Sequence, residues 1–405
     1  MKVYFANLNP CNARKINVKQ YMDFVEKCKH QLVSDPKNAD IIFVWGCEFR
    51  SDWRDFSFSV TQELSQKYTA KTVYIGCTFD DNSASKIKTE LGIDVIPWKD
   101  EKNLFEEVVT ESSLTLKDIP IKLAENRLVK NAAEHRKSHP LDNISFEDEY
   151  VKLSICEGCT RNCSFCSEKQ MFPAYRSFPE ADLLDQCERA CQESGTKKIM
   201  LLGDNTGDYG IDTGSSLPQL IRKLKERLGS DIMVGISQLN PEYFIKFYGE
   251  MIALIENRNI VYLNIPIQSA SDKLLLSMRR RYSFSQIDKL FSDFKTIGFK
   301  DFSTHLLFGF PGEDDDDVDK TLSFIVSHSP AHVVASAFMP HPSIGASSFS
   351  DQVSPEEVQL RLKRCEEELV KNGIKVATDW NTVTNRIMNR ITSSLNIQSH
   401  DLERP

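Results

Sequence analysis

The sequence predicts an α/β protein: an N-terminal parallel-sheet domain, then a partial (β/α) barrel, then a short helical C-terminal tail. Three observations carry this prediction. Short β-branched or aromatic runs alternate with helix-length amphipathic stretches over residues 1–112 and again over 149–348. A charged, unpatterned stretch at 113–148 reads as the linker between them. Four cysteines, Cys156, Cys159, Cys163 and Cys166, then fall within eleven residues, directly after the first strand signal of the second half.

In the first half, strands are expected at Val3 to Ala6, Ile41 to Trp45 and Thr72 to Ile75, with helices over Val18 to Lys29 and Asp55 to Lys67 between them. Strand-helix alternation makes the sheet parallel. In such a sheet the carboxyl ends of the strands lie along one edge, where ligands bind. Cys11, Cys47 and Cys77 each follow one of these strands within a few residues, so their thiols are expected to converge. Zinc is one candidate for that site, but zinc usually takes four ligands or a histidine, and no histidine lies near these three. An iron–sulfur cluster with one open iron fits better.

In the second half, strands are expected at Val151 to Ile155, Lys198 to Leu202, Ile232 to Ile236, Val261 to Ile265 and Thr304 to Phe308. Helices are expected over Glu180 to Ser194, Leu217 to Leu228, Ser271 to Met278 and Phe284 to Thr296. Repeated units of this length suggest a barrel whose chemistry belongs at the carboxyl ends of its strands. Those ends carry Gly203, Asp204 and Asn205, then Ser237 to Asn240, then Gln268 and Ser269, then Gly309 to Glu313. Amides, hydroxyls and carboxylates beside glycines can grip a cofactor that is part amino acid and part nucleoside. The cysteine loop reads C-x3-C-x2-C from Cys159 to Cys166. Three thiolates so spaced can hold three irons of a four-iron, four-sulfur cluster and leave the fourth open to a non-protein ligand. Cys156 reads as the packed end of the first strand, and Cys28, Cys187, Cys191 and Cys365 as packed side chains in helical segments.

Composition narrows the setting. Eleven cysteines in a chain without a signal-peptide pattern point to metal or redox work rather than disulfides. With 50 basic and 58 acidic residues, net charge −8, the chain lacks the basic footprint usual for nucleic-acid binding. No apolar run approaches the ~20 residues of a membrane span, so a cytoplasmic location is expected.

The motifs add a family resemblance. The loop CEGCTRNCSFC, followed after nine residues by Arg176-Ser177-Phe178-Pro179, resembles the methylthiotransferase branch of the radical S-adenosylmethionine superfamily. LLGDNTGDYG (201 to 210) is similar to that branch's second-strand motif, with Asp204 where glutamine is usual. IPIQSASDKLLLSMRRRY (265 to 282) matches its glutamine-serine segment, including Met278, Arg280 and Tyr282. THLLFGFPGEDDDD (304 to 317) matches the segment ending in GFPGE, with His305 replacing the usual aspartate. The branch carries three separated cysteines in an N-terminal domain, and Cys11, Cys47 and Cys77 fall at matching places.

The resemblance implies two 4Fe-4S clusters, one on Cys159, Cys163 and Cys166 and one on Cys11, Cys47 and Cys77. It also implies that S-adenosylmethionine binds at the first and is cleaved to a 5′-deoxyadenosyl radical, with sulfur delivered from the second. Phe165, Gly203, Asp204, Asn205, Ser237, Gln268 and Leu307 are the implied cofactor contacts. Arg280 and Tyr209 are the implied substrate contacts. An electron donor of the flavodoxin or ferredoxin type is expected. Residues 349–405 read as a helix, SPEEVQLRLKRCEEELVKNG, with a further short helix and a polar end, where the branch usually ends in a small β-barrel. That tail and the acidic charge favour a peptide or protein side chain as substrate, such as a ribosomally made precursor peptide, over transfer RNA. A radical enzyme whose second cluster inserts no sulfur is the other alternative.

Overall fold

The computed structural model describes residues 1–8, 12–47, 51–77, 81–97, 101–109, 114–119, 150–171, 174–341 and 344–378. They belong to two compact units, one within residues 1–124 and the other within 125–380.

The first unit is a five-stranded, wholly parallel sheet. Its strands are β1 (Lys2–Asn7), β2 (Gln31–Leu32), β3 (Ile41–Cys47), β4 (Lys71–Cys77) and β5 (Asp94–Pro97), in the order β2-β1-β3-β4-β5. All seven residues of β3 are buried, the continuous apolar run that a strand covered on both faces requires. Helices Asn12–Lys27 and Glu101–Val109 serve one face, packing Tyr21, Phe24 and Phe105 against Phe43 and Trp45. Helix Ser51–Lys67 serves the other, packing Phe56, Val60 and Leu64 against Ile42 and Val44. The strand order reverses direction between β1 and β3, and ligands of open α/β sheets bind beyond the strand ends at such a switch point. Strands β2 and β5 escape the sequence signal because they are short edge strands with few apolar residues.

The second unit holds a seven-stranded parallel sheet of β6 (Val151–Ser154), β9 (Lys198–Leu202), β10 (Met233–Ile236), β11 (Ile260–Asn264), β12 (Phe302–Phe308), β13 (His332–Ala337) and β14 (Lys375–Ala377). A two-residue antiparallel pair, β7 (Cys156–Glu157) with β8 (Arg176–Ser177), brackets the cysteine loop. The order β6-β9-β10-β11-β12-β13-β14 is sequential, the one-way winding of a barrel left open between its two edge strands. Helices Glu180–Ser194, Leu217–Leu228 and Phe284–Thr296 form over the residues predicted for them. Their ends are marked by chemistry the sequence displays: Ser216 and Ser283 cap N-termini, and Gly195 closes a C-terminus in the left-handed conformation.

The tail departs from expectation in one respect. Helix Pro355–Lys371 forms as predicted, with Ser354 as its cap, but Lys375–Ala377 is a strand and not part of a further short helix. Gly373, at φ 74, stops the helix, and the edge of β13 offers three residues a hydrogen-bonded partner in register, His332 beside Lys375. Residues 379–405 and 120–149, most of the expected linker 113–148 among them, lie outside the described residues. No helix among the described residues is long and apolar enough to cross a membrane.

Candidate functional site

In the first unit, register brings cysteines together. Cys47 ends β3, Cys77 ends β4, and the two are paired across the ladder, as are Gly46 and Gly76 one residue earlier. The glycines are needed there: a Cβ on Gly46 would overlap the Tyr74 ring, and Gly76 holds φ 120 with a would-be Cβ 2.8 Å from the Gly46 carbonyl. Ser57 of the adjacent helix fixes the strand end, its hydroxyl accepting from the Cys47 N–H at 3.1 Å and contacting the Cys47 carbonyl at 3.4 Å. Cys11 and the side chain of Cys77 lie outside the described residues. Strand β1, which precedes Cys11, is the other neighbour of β3, with Asn7 opposite Trp45.

In the second unit, the loop after β6 is pinned at both ends. Gly158, at φ 80, donates its N–H to Asp204 at 2.7 Å, and a Cβ there would sit 2.9 Å from the Ala174 carbonyl. Thr160 donates through both its N–H and its hydroxyl to Asp208, each at 2.9 Å. Arg161 forks onto Glu242 at 3.1 and 3.2 Å and stacks over the Tyr243 ring. At the far end, the Ser164 hydroxyl donates to the Ser277 carbonyl at 2.7 Å, and the Ser164 carbonyl accepts from Ala346 at 2.8 Å. The three sulfurs of this loop all accept: Cys159 from the Arg161 N–H at 3.4 Å and Asn205 Nδ2 at 3.7 Å, Cys163 from Arg280 Nη1 at 3.5 Å, and Cys166 from the Glu168 N–H at 3.4 Å.

That donor set suits thiolates. Burial pushes the Cys159 thiol up to about 12 and the Cys166 thiol well above its ordinary range, a shift that cluster iron beside them would reverse. Among the described residues no three His, Cys, Asp or Glu side chains close on a single-ion site. Three thiols at the spacing C-x3-C-x2-C on one loop suit separate irons of one cluster. Asn205 Oδ1, beside Cys159, is buried with no partner among the described residues, an acceptor that fits an ammonium donor such as the S-adenosylmethionine amino group. Cys156 is different from its neighbours. It is 2% exposed, its Sγ contacts the Asn205 carbonyl at 3.4 Å, and it fills the space where a Cβ on Gly203 would come within 2.5 Å.

The other predicted residues are placed as follows. Asp204 and Asn205 both reach the cysteine loop, as described. Gly203 packs on Cys156. The Ser237 carbonyl accepts from Thr206 Oγ1 at 2.8 Å, tying the end of β10 to the turn after β9. Gln268 holds φ 70, rare for a non-glycine residue, with its N–H donating to the His305 carbonyl at 2.8 Å and its carbonyl accepting from Leu307 at 2.9 Å. Phe165 and Leu307 share one apolar cluster with Met278, Phe310, Phe338 and Ile344. Of the two expected substrate contacts, Tyr209 is 3% exposed with its hydroxyl on the Phe178 carbonyl at 3.5 Å, and Arg280 is turned onto Cys163. Sequence reasoning missed Thr160, Arg161, Asp208, Glu242 and Tyr243 as supports of the loop. Thr160, Arg161 and Asp208 lay inside motifs but were not assigned this role, and the Arg161–Glu242 pair spans 81 positions, which no local pattern reveals.

A family model described as the radical SAM superfamily matches residues 153–325. A threonylcarbamoyladenosine tRNA methylthiotransferase of Xenopus laevis is 28% identical over 82% of this chain, and the chain spans only 59% of that relative's length. A tRNA-2-methylthio-N(6)-dimethylallyladenosine synthase of Bdellovibrio bacteriovorus is 25% identical, covering 82% of this chain and 72% of the relative. A ribosomal protein uS12 methylthiotransferase of Thermotoga sp. is 27% identical, covering 84% and 76%. Among solved structures, the radical S-adenosylmethionine methyltransferase TsrM of Kitasatospora setae shares the fold at TM-score 0.59 and 13% identity, over 85% of this chain and 77% of that one. The three-cysteine loop on a sequentially wound parallel sheet agrees with the family match that residues 153–325 form a radical SAM domain, and the chain around that domain is similar to the methylthiotransferases named above.

Proposed function

We propose that this protein is a radical methylthiotransferase that inserts a methylthio group at an unactivated C–H bond of a transfer-RNA nucleoside. The observation that carries the reaction class is the cysteine loop, three sulfurs that each accept a hydrogen bond on a segment pinned at both ends. S-adenosylmethionine bound at a cluster there supplies a carbon radical on one-electron reduction, chemistry that belongs to the cofactor. The protein's part is positional. Cys159, Cys163 and Cys166 hold the cluster, Asn205 Oδ1 offers an acceptor beside it, and the turn at Gly203 to Asn205 fixes that acceptor against the loop. Phe165, Leu307, Met278 and Phe310 form an apolar wall that keeps water from the radical. Cys47 and Cys77, paired in register, with Cys11 after the neighbouring strand, are the ligands for the second, sulfur-delivering cluster.

The substrate reading revises the sequence-based one. A precursor peptide was favoured on net charge and on the tail, but net charge averages over 405 residues and does not describe a local binding face. The relatives described above are named for transfer RNA or a ribosomal protein, and two of the three for transfer RNA, which supports an RNA substrate. The test is anaerobic reconstitution of three forms of the protein: wild type, the triple change Cys11, Cys47 and Cys77 to Ala, and the triple change Cys159, Cys163 and Cys166 to Ala. The first triple variant is expected to keep making 5′-deoxyadenosine and to lose sulfur insertion. The second loses both. Sulfur insertion that persists without Cys11, Cys47 and Cys77 refutes the two-cluster reading.

A further inference from the structure

Arg280 sits in the middle of the run Arg279-Arg280-Arg281. The left-handed turn at Arg279, φ 58, leaves residues 279 and 281 exposed and turns 280 inward. Its guanidinium makes three hydrogen bonds: Nε donates to the Tyr282 hydroxyl at 2.7 Å, Nη2 to the Pro266 carbonyl at 2.7 Å, and Nη1 to Cys163 Sγ at 3.5 Å. Tyr282 is anchored in turn, its hydroxyl donating to the Ile267 carbonyl at 3.0 Å, and its ring lies 5.1 Å from the guanidinium carbon. Two short bonds fix the plane of the group, so the third is aimed. Among the described residues no carboxylate pairs with Arg280. A permanent cation set into the protein wall calls for an anion. The anion within reach is the Cys163 thiolate that cluster iron creates.

We infer that Arg280 tunes the cluster held by Cys159, Cys163 and Cys166, raising its reduction potential through its charge and its hydrogen bond to Cys163. Reduction adds one electron, and with it one negative charge, to a cluster whose charge spreads onto its thiolates. A cation donating to one of those thiolates stabilises the reduced form more than the oxidised form. Hydrogen bonds to sulfur and net charge are the levers that set such potentials. Arg280 is therefore a tuning residue and not a substrate contact, and the inference concerns the first cluster whatever the substrate proves to be.

The test is a redox titration of the reconstituted full chain, poised with dithionite and followed by electron paramagnetic resonance. Cys11, Cys47 and Cys77 are changed to Ala so that one cluster gives the signal. Arg280→Met is expected to shift the equilibrium at least tenfold toward the oxidised form, a midpoint lower by about 59 mV or more for a one-electron couple. Arg280→Lys keeps the charge but cannot hold Pro266 and Cys163 together, so its midpoint falls by less. Arg281→Met, the exposed neighbour, leaves the midpoint in place. An iron-replete Arg280→Met protein with the unaltered midpoint overturns the inference. If Arg280→Met does not retain iron, Arg280→Gln decides: a lowered midpoint supports the tuning role, and an unaltered one overturns it. Neither result depends on sulfur insertion or on RNA.

Discussion

Asp208 is the buried carboxylate on which the cysteine loop hangs, and replacing it tests the loop's construction. Its side chain is fully buried, it accepts from the Thr160 N–H and hydroxyl at 2.9 Å each and from Asn205 Nδ2 at 3.1 Å, and Arg161 lies 3.9 Å away. Asp208→Ala leaves the Thr160 N–H without an acceptor, takes one from the Thr160 hydroxyl, which keeps Tyr243 Oη at 3.0 Å, and one from the Asn205 carboxamide, which keeps Cys159 Sγ at 3.7 Å, and leaves Arg161 with one anion fewer. Each orphaned group costs about 1–3 kcal/mol, and because these groups share one acceptor the costs do not add. The total is set at about 3–5 kcal/mol, the range for breaking a buried charged cluster. At about 1.4 kcal/mol per tenfold, that is on the order of 10² to 4 × 10³ in the population of the closed loop. For a unit of this size, about 2–4 °C per kcal/mol converts it to a fall in Tm of roughly 6–20 °C. The assay is thermal unfolding by circular dichroism, with iron and sulfide content after reconstitution. Asp208→Ala is expected to lose both stability and iron, and Asp208→Asn, which keeps one oxygen acceptor, to lose less. Unchanged Tm and full iron content in Asp208→Ala refute the assignment of Asp208 as the loop's anchor.

Two further outcomes follow from the same packing. Gly203→Ala is expected to destabilise the second unit by about 1–3 kcal/mol through overpacking against Cys156, and Cys156→Ala in the same chain is expected to relieve it. Cys156→Ala alone should retain the iron content of wild type, and a loss of iron equal to that of Cys159→Ala would make Cys156 a ligand. His305 and His332 give a pH dependence: burial lowers both to about 4, below the ~6.5 of an unfolded chain. The unfolded chain therefore binds more protons between those values, and the stability these neutral histidines carry is present above pH 6.5 and lost as pH falls through 4. The loss is at most about 3 kcal/mol for each. Urea midpoints measured from pH 7 to pH 4 should fall accordingly, and His332→Asn should flatten the slope.

How far the sequence disclosed this molecule depends on the range of the interaction concerned. Strand β3 and helices Glu180–Ser194 and Phe284–Thr296 were legible because their periodicity and caps are local. The cysteine loop was legible as a loop for the same reason, since its four cysteines fall along one short segment after a strand. The pairing of Cys47 with Cys77 was half legible: each follows a strand, but only register places them side by side. Strand β14 was not legible, because three residues form a strand only when the edge of β13 receives them. The setting of Arg280 was not legible for a related reason: its inward turn depends on the left-handed backbone of Arg279 and on acceptors at residues 266, 282 and 163.

The central claim, methylthio transfer to transfer RNA by a two-cluster enzyme, is tested most directly by mass spectrometry of nucleosides. Unmodified transfer RNA is incubated anaerobically with the reconstituted full chain, S-adenosylmethionine, a sulfur source and a reductant, and is then digested. A nucleoside gaining one sulfur and one CH2, absent when Cys11, Cys47 and Cys77 are changed to Ala, is the expected result. An RNA whose nucleosides stay unchanged, while a ribosomal protein or peptide in the same mixture takes up the methylthio group, contradicts the claim.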